Sequence, residues 1–199
     1  VAPIPSDMVT AEPRISEHLK RSFKEGITSK QPEDLLSNLT ITENYASLSQ
    51  CDLVIECTLE EQEIKKSVYA KIEAVVSDKA LITSNTSAIP ISILQQYTRV
   101  PSRFFGLHWA EPSHTTRFLE IICGDKSDVK LAEWLYELSH LWGKEPTLVR
   151  KDIRGFITNR LMYAMYREAF SLVENGYATV EDVDRACRNN AGYWMTLVG

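Results

Sequence analysis

Five short apolar runs punctuate the middle of the chain, and segments of helical spacing fill most of the gaps between them. The runs are "CDLVIECT" (51–58), "ALITSNTS" (80–87), "RFFGLHW" (103–109), "RFLEIICG" (117–124) and "PTLVRKD" (146–152), all of strand length. Between the first two, "EEQEIKKSVYAKIEAVV" (60–76) repeats apolar residues at Ile64, Val68, Ile72 and Val75 or Val76, a helical period. "IPISILQQYT" (89–98) predicts a short helix, and "DVKLAEWLYELSHLWG" (128–143) a longer one ended by Gly143. Strands that are apolar on both faces and alternate with helices predict a mostly parallel sheet covered by helices, an α/β fold.

The flanks follow other rules. Residues 1–13 hold three prolines and little periodicity, which predicts a loop. "ISEHLKRSFKEG" (15–26) has apolar residues at 15, 19 and 23 and predicts a helix stopped by Gly26. "SKQPEDLLSNL" (29–39) predicts a second short helix with Pro32 in its first turn, and "TITENYASLSQ" (40–50) a short strand and a connection. After Arg150 the pattern becomes helix after helix. "GFITNRLMYAMYREAFSLVENG" (155–176) carries Ile157, Leu161, Ala164 or Met165, and Leu172 at helical spacing, with Gly176 as its cap. "TVEDVDRACRNN" (179–190) opens on Thr179 and Asp182, a capping pattern. The change of period places a boundary near residues 150–155, dividing 1–152 from an all-helical 153–199. Two such helices cannot close a core by themselves, so the helical unit is expected to be larger than this segment.

Composition narrows the class. Of 199 residues, 44% are apolar and 25% charged, enough for a core without disulfide or metal staples. A net charge of −5 and the absence of basic runs argue against nucleic-acid and membrane-surface partners. No apolar run reaches membrane-spanning length, and "VAPIPSDMVT" lacks the marks of a signal peptide. Cysteines 51, 57, 123 and 187 form no C-x-x-C pair, which predicts reduced core thiols, a reducing compartment and no zinc.

Candidate chemistry lies beyond the carboxyl ends of the strands, where parallel sheets place their ligands. Ser87 follows "ALITSNT", and His108 follows "FFGL". If the chain folds back around residue 114, His108 and Glu120 are equidistant from the turn. Facing residues in such a pair have Cβ atoms about 4.5–5.5 Å apart. A carboxylate on one imidazole nitrogen fixes the tautomer and leaves the other nitrogen as a general base. A core histidine satisfied by a backbone carbonyl fits the residues equally well. Glu120 inside the apolar "FLEIIC" is nonetheless costly to bury without a partner. Ser87 also fits a turn or cap role, and Asn159 an exposed helix position. A serine hydrolase is disfavoured because "SNTSA" lacks the glycines of a nucleophile elbow.

Together "DLVIECTLEEQEIKKSVYAKIE", "SNTSAIPIS", "RFFGLHWAEP", "FLEII", "GFITNRLMYAMYREAFSLVENG" and "DVDRACRNNAGYWM" resemble, in order and spacing, the L-3-hydroxyacyl-CoA dehydrogenase family over roughly residues 15–199. The resemblance implies a Rossmann-like NAD-binding domain at 1–152 and the start of a C-terminal helical domain at 153–199. It implies oxidation of a 3-hydroxyacyl-CoA to the 3-ketoacyl-CoA, of β-oxidation or butanoate type, by a cytoplasmic enzyme that is a homodimer when full length. His108 matches the catalytic base and Glu120 its orienting carboxylate. Ser87 matches the serine that hydrogen-bonds the substrate oxygen, Asn159 matches the asparagine of the family's N-R helix, a catalytic and substrate-binding position, and Glu60, Lys65 and Ser87 match positions lining the cofactor.

Departures accompany the match. Glu111 in "HWAEP" stands where the family has asparagine, which would put a carboxylate near the substrate's reacting carbon and change the field there, and Arg154 replaces a proline. The eight glycines, at 26, 106, 124, 143, 155, 176, 192 and 199, include no pair close enough for a G-x-G-x-x-G phosphate turn. No motif places the ribose-binding acid, for which Asp7 is only a guess. Without a first strand, the neighbouring strand would present an open edge. Two alternatives to the acyl-CoA reading are a dehydrogenase of a small non-thioester hydroxy acid, of carnitine or gulonate type, and a non-catalytic scaffold.

Overall fold

The structure, a computed structural model, describes residue 1 and residues 5–197. The chain divides into two compact units, residues 1–154 and 155–199.

The first unit is built on one five-stranded sheet: β1 (Leu53–Glu56), β2 (Leu81–Ser84), β3 (Phe104–Trp109), β4 (Phe118–Cys123) and β5 (Glu145–Val149), side by side in chain order. β1, β2 and β3 are parallel, β3 and β4 antiparallel, and β4 and β5 parallel. Its helices are α1 (Pro5–Lys24), α2 (Pro32–Leu36), α3 (Gln62–Glu73), α4 (Ile91–Leu94) and α5 (Val129–Leu141). α3 follows β1, and α4 follows β2, so the parallel strands are joined by crossovers. Asp128 caps α5 by accepting from the Lys130 N–H at 2.8 Å.

Period-two alternation sends the two faces of β3 and β4 into different layers. Phe105, Leu107, Leu119, Ile121 and Cys123 cluster with Leu81 and with Ala132 and Leu135 of α5. Phe104 points the other way and meets Tyr69 of α3 edge-on, with ring centres 5.0 Å apart. Each such buried side chain contributes roughly 1.5–3 kcal/mol. Gly106 lies on that second face: a Cβ there would stand 2.8 Å from Ile122 Cδ1 and 2.9 Å from Ile91 Cδ1. Glycine at this position lets α4 lie directly on the sheet.

β1 forms one edge of the sheet, and its Ile55 is 38% exposed. Beside it runs a groove of about 870 Å³ whose lining includes Tyr45, Ile55, Leu59, Ile64 and Val68.

Several sequence expectations need correction. The loop expected over residues 1–13 is helical from Pro5 onward, and residues 2–4 lie outside the described residues. A first-turn proline lacks an N–H that would have been unsatisfied anyway, so Pro5 starts the helix rather than barring it. The strand expected within 40–50 is a 3₁₀ turn, Tyr45–Gln50, because Asn44 accepts the Ala46 N–H and fixes a cap. Cys57, expected in the core, is exposed just past β1, whereas Cys123 is buried; all four cysteines are free thiols.

In the second unit, α6 (Thr158–Glu174) ends at Gly176, whose φ of +73° is the left-handed cap. α7 (Val180–Ala186) starts on Thr179, which accepts the Asp182 N–H at 3.2 Å. The single helix expected over 179–190 instead opens into a wide π-helical turn, Cys187–Ala191, and resumes as α8 (Gly192–Leu197).

Candidate active site

The carboxyl ends of β1, β2 and β3 lie at one edge of the sheet because the three strands are parallel. β4 starts at that same edge because it runs back along β3. The register sets His108 opposite Glu120, and His108 Nδ1 is 2.9 Å from Glu120 Oε2. The carboxylate side chain is 1% exposed and the imidazole 10%. An ionised carboxylate only accepts, so Nδ1 carries the proton and Nε2 is the basic nitrogen. Phe118 packs edge-on against the imidazole, with ring centres 5.6 Å apart at 89°, and restricts its rotation.

At the end of β2 the chain turns through Asn85, Thr86, Ser87 and Ala88. Asn85 donates its N–H to Glu56 O at 2.7 Å and accepts the Trp109 N–H at 3.0 Å, which ties the ends of β1, β2 and β3 together. Glu60 shapes the turn itself. Its Oε1 accepts from the Thr86 hydroxyl, from Ser87 N–H at 3.0 Å and from Ala88 N–H at 3.1 Å. Burial would raise the Glu60 pKa, but the Thr86 bond, the Lys65 charge and the two backbone N–H groups hold it below the usual carboxylate range.

Behind this turn lies a buried charged cluster. Glu56, 3% exposed, accepts from Thr58 N–H at 2.5 Å, Thr58 Oγ1 at 2.6 Å, Tyr69 OH at 2.9 Å and Ser84 Oγ at 2.7 Å. Lys65 Nζ donates to its two oxygens at 2.9 and 3.1 Å and stands 3.5 Å from Glu60 Oε2. Burial pushes the Glu56 pKa up, and the bonds from Ser84, Thr58 and Lys65 outweigh that and hold it low. Tyr69, buried beside this anion, has its pKa raised, first by desolvation and then by the Glu56 charge.

The β3–β4 loop carries Glu111, three residues after His108 and exposed. Lys144, 6% exposed, donates to the carbonyls of Ser113 and Thr116 and sits 5.2 Å from the centre of the Trp109 ring. Desolvation lowers its pKa. Thr116 Oγ1 closes the loop on Ala110 O at 3.2 Å, and His114 meets His18 of α1 with ring centres 4.9 Å apart.

The sequence-nominated residues thus fall into distinct groups. His108 and Glu120 are in contact, and Ser87 is exposed on a neighbouring strand end whose turn Glu60 holds. Lys65 is buried and its ammonium faces Glu56. Asn159 stands in the first turn of α6, in the second unit. Sequence reasoning missed Glu56, Thr86 and Lys144. For Glu56 the signal was present: a lone carboxylate inside "DLVIECT" is as costly to bury as Glu120 inside "FLEIIC".

A mostly parallel sheet covered by helices, with His108 and Glu120 in contact at the carboxyl ends of its parallel strands and a helical unit following, is a Rossmann-type architecture. The NAD-binding domain of 3-hydroxyacyl-CoA dehydrogenase matches residues 4–153, and the C-terminal domain of 3-hydroxyacyl-CoA dehydrogenase matches residues 155–199. The chain belongs to the 3-hydroxyacyl-CoA dehydrogenase family, an NAD-binding family of oxidoreductases. It is 37% identical over 153 residues, 77% of its length, to 5-formyl-3-hydroxy-2-methylpyridine 4-carboxylate 5-dehydrogenase of Mesorhizobium japonicum. It is 31% identical over 170 residues, 85% of its length, to a probable 3-hydroxybutyryl-CoA dehydrogenase of Deinococcus radiodurans. It spans 50% of the first relative and 61% of the second. Among solved structures, the (S)-3-hydroxybutyryl-CoA dehydrogenase of Ralstonia eutropha is similar with a TM-score of 0.90 and 27% identity, over 96% of this chain and 68% of that one.

Proposed function

We propose that the chain carries the acid–base site of an enzyme that oxidises a 3-hydroxyacyl-CoA to the 3-ketoacyl-CoA with NAD. The observation that carries this reading is the 2.9 Å contact between His108 Nδ1 and Glu120 Oε2 at the carboxyl edge of the parallel strands. His108 Nε2 accepts the proton of the C3 hydroxyl as the C3–O bond becomes a carbonyl. Glu120 stabilises the imidazolium so formed, as a buried anion beside a cation does. Ser87 holds the substrate oxygen by a hydrogen bond. NAD, when bound, supplies the acceptor for the C3 hydride.

The residues fit one end of that cofactor. Glu60 Oε2, on a side chain 41% exposed, stands at the strand ends beside the Ser87 turn and suits a ribose hydroxyl or carboxamide donor. Lys65 supports it from behind. The pyrophosphate calls for a glycine-rich turn, which the glycine spacing of this chain does not offer. The full protein on this reading is a cytoplasmic homodimer of the β-oxidation or butanoate type.

A second reading is a non-thioester hydroxy acid as substrate: Glu111 favours one with a cationic group, of carnitine type, and the Mesorhizobium relative is named for a non-thioester substrate, a pyridine carboxylate. A carboxylate at that position repels an anionic group and attracts a cationic one. A panel separates the two: NAD reduction with 3-hydroxybutyryl-CoA, with free 3-hydroxybutyrate, and with carnitine and a pyridine carboxylate. Preference for the thioester by about tenfold or more in kcat/KM, roughly 1.4 kcal/mol of transition-state discrimination, supports the first reading. Preference for a free acid overturns it, and turnover of none with NADH bound supports a scaffold.

A further inference from the structure

We infer that Glu56 is a positioning residue for the Ser87 turn, acting through Lys65 and Glu60. The inference rests on the reading of Ser87 as a substrate contact. The path is continuous and short: Glu56 to Lys65 Nζ at 2.9 Å, Lys65 Nζ to Glu60 Oε2 at 3.5 Å, and Glu60 Oε1 to the N–H groups of Ser87 and Ala88 at 3.0 and 3.1 Å.

One buried ammonium lies between two carboxylates, closer to Glu56 than to Glu60. A lysine at 0% exposure keeps its charge only beside a compensating anion. Glu56 meets that need, and four further bonds, from Thr58 N–H, Thr58 Oγ1, Tyr69 OH and Ser84 Oγ, fix where it stands. Glu60 is therefore left to present Oε1 to the turn. When Glu56 is neutralised, Glu60 becomes the nearest anion to a buried cation. The ammonium and the Glu60 carboxylate then close on each other, and Oε1 is drawn from its three donors in the turn. The effect of Glu56 on Thr86 and Ser87 is transmitted by charge, through Lys65 and Glu60.

Epistasis between Glu56 and Lys65 distinguishes this from a packing role. Amide hydrogen exchange of the 199-residue chain reads the turn directly, with Ile82 and Thr83 of β2 as internal reporters of the fold. In Glu56→Gln, exchange at Ser87 and Ala88 rises about tenfold while the β2 amides hold, the loss of roughly one well-made hydrogen bond. Adding Lys65→Met removes the stranded cation, and protection at Ser87 and Ala88 returns toward that of the parent. Unchanged exchange in Glu56→Gln, or a double variant less protected than the single, overturns the inference. Should Glu56→Gln fail to fold, Glu56→Asp keeps the charge and withdraws it by one methylene. It raises the same two amides by a smaller factor, and no rise there also overturns the inference. Exchange needs no turnover, so a chain that exchanges as stated but is inactive on every substrate counts against the proposed function and not against this device.

Discussion

His108 and Glu120 stand at facing positions of an antiparallel pair, so the sheet's hydrogen bonds fix their separation as well as their own side-chain rotamers. Replacing the carboxylate by its amide keeps the shape and removes the anion. Glu120→Gln is expected to lower kcat by about 10²-fold with little change in KM, because the stabilisation is needed only once the imidazolium forms. Steady-state kinetics check this; an effect confined to KM contradicts it. The charged cluster has a separate signature. Glu56 and Glu60 both titrate below the ordinary value of 4.5. A carboxyl whose folded pKa lies below its unfolded one adds stability above the unfolded value and loses it as pH falls through the folded value. Urea midpoints should therefore drop as pH falls below the ordinary carboxylate value of 4.5, and Glu56→Gln should show a lower midpoint at neutral pH with a shallower acid loss. Parallel acid profiles for parent and variant would contradict the role of Glu56 in that loss.

Strands and helices with one dominant period were legible in the sequence, and elements set by caps and loops were not. β1 to β5 follow from continuous apolar runs, and the facing of His108 and Glu120 follows from counting outward from residue 114. The second half of the helix Pro5–Lys24 follows from the spacing over 15–26, and its first half was hidden by prolines whose cost depends on their place in the helix. Tyr45–Gln50 was hidden because the bond from Asn44 that makes it a turn is local and leaves no periodic mark. Lys144 was invisible because its partners are carbonyls of a loop about thirty residues away, and backbone carbonyls carry no sequence signal. Packing predictions belong to this scale. Gly106→Ala forces a methyl to within 2.8 Å of Ile122 Cδ1 and 2.9 Å of Ile91 Cδ1, and should cost about 1–3 kcal/mol by urea unfolding. A neutral result would mean that α4 shifts freely on the sheet. Lys144→Met leaves the Ser113 and Thr116 carbonyls without their donor, and should speed proteolysis of the 110–116 loop while α5 stays protected.

At the level of the molecule, two compact units meet in sequence at Arg154 and Gly155. Lys151 and Arg154 are both exposed there, so trypsin at low ratio should cut first after one of them and release the sheet-bearing unit, as read by mass spectrometry. First cuts inside β1 to β5 would contradict the division. His108, Glu120 and the serine turn held by Glu60 lie at the carboxyl ends of the parallel strands, and Asn159 belongs to the helical unit. The groove beside β1 and the exposed Ile55 lie on the same unit as the His108–Glu120 pair.

The account stands on His108 as the group that takes the substrate's proton. The direct measurement is kcat/KM for 3-hydroxybutyryl-CoA oxidation by NAD in the full-length protein and in its His108→Gln variant, with NADH affinity measured alongside. The account predicts a fall of about 10²–10⁴-fold with cofactor affinity unchanged, the range for removing a positioned general base. Turnover within a few-fold of the parent would contradict it.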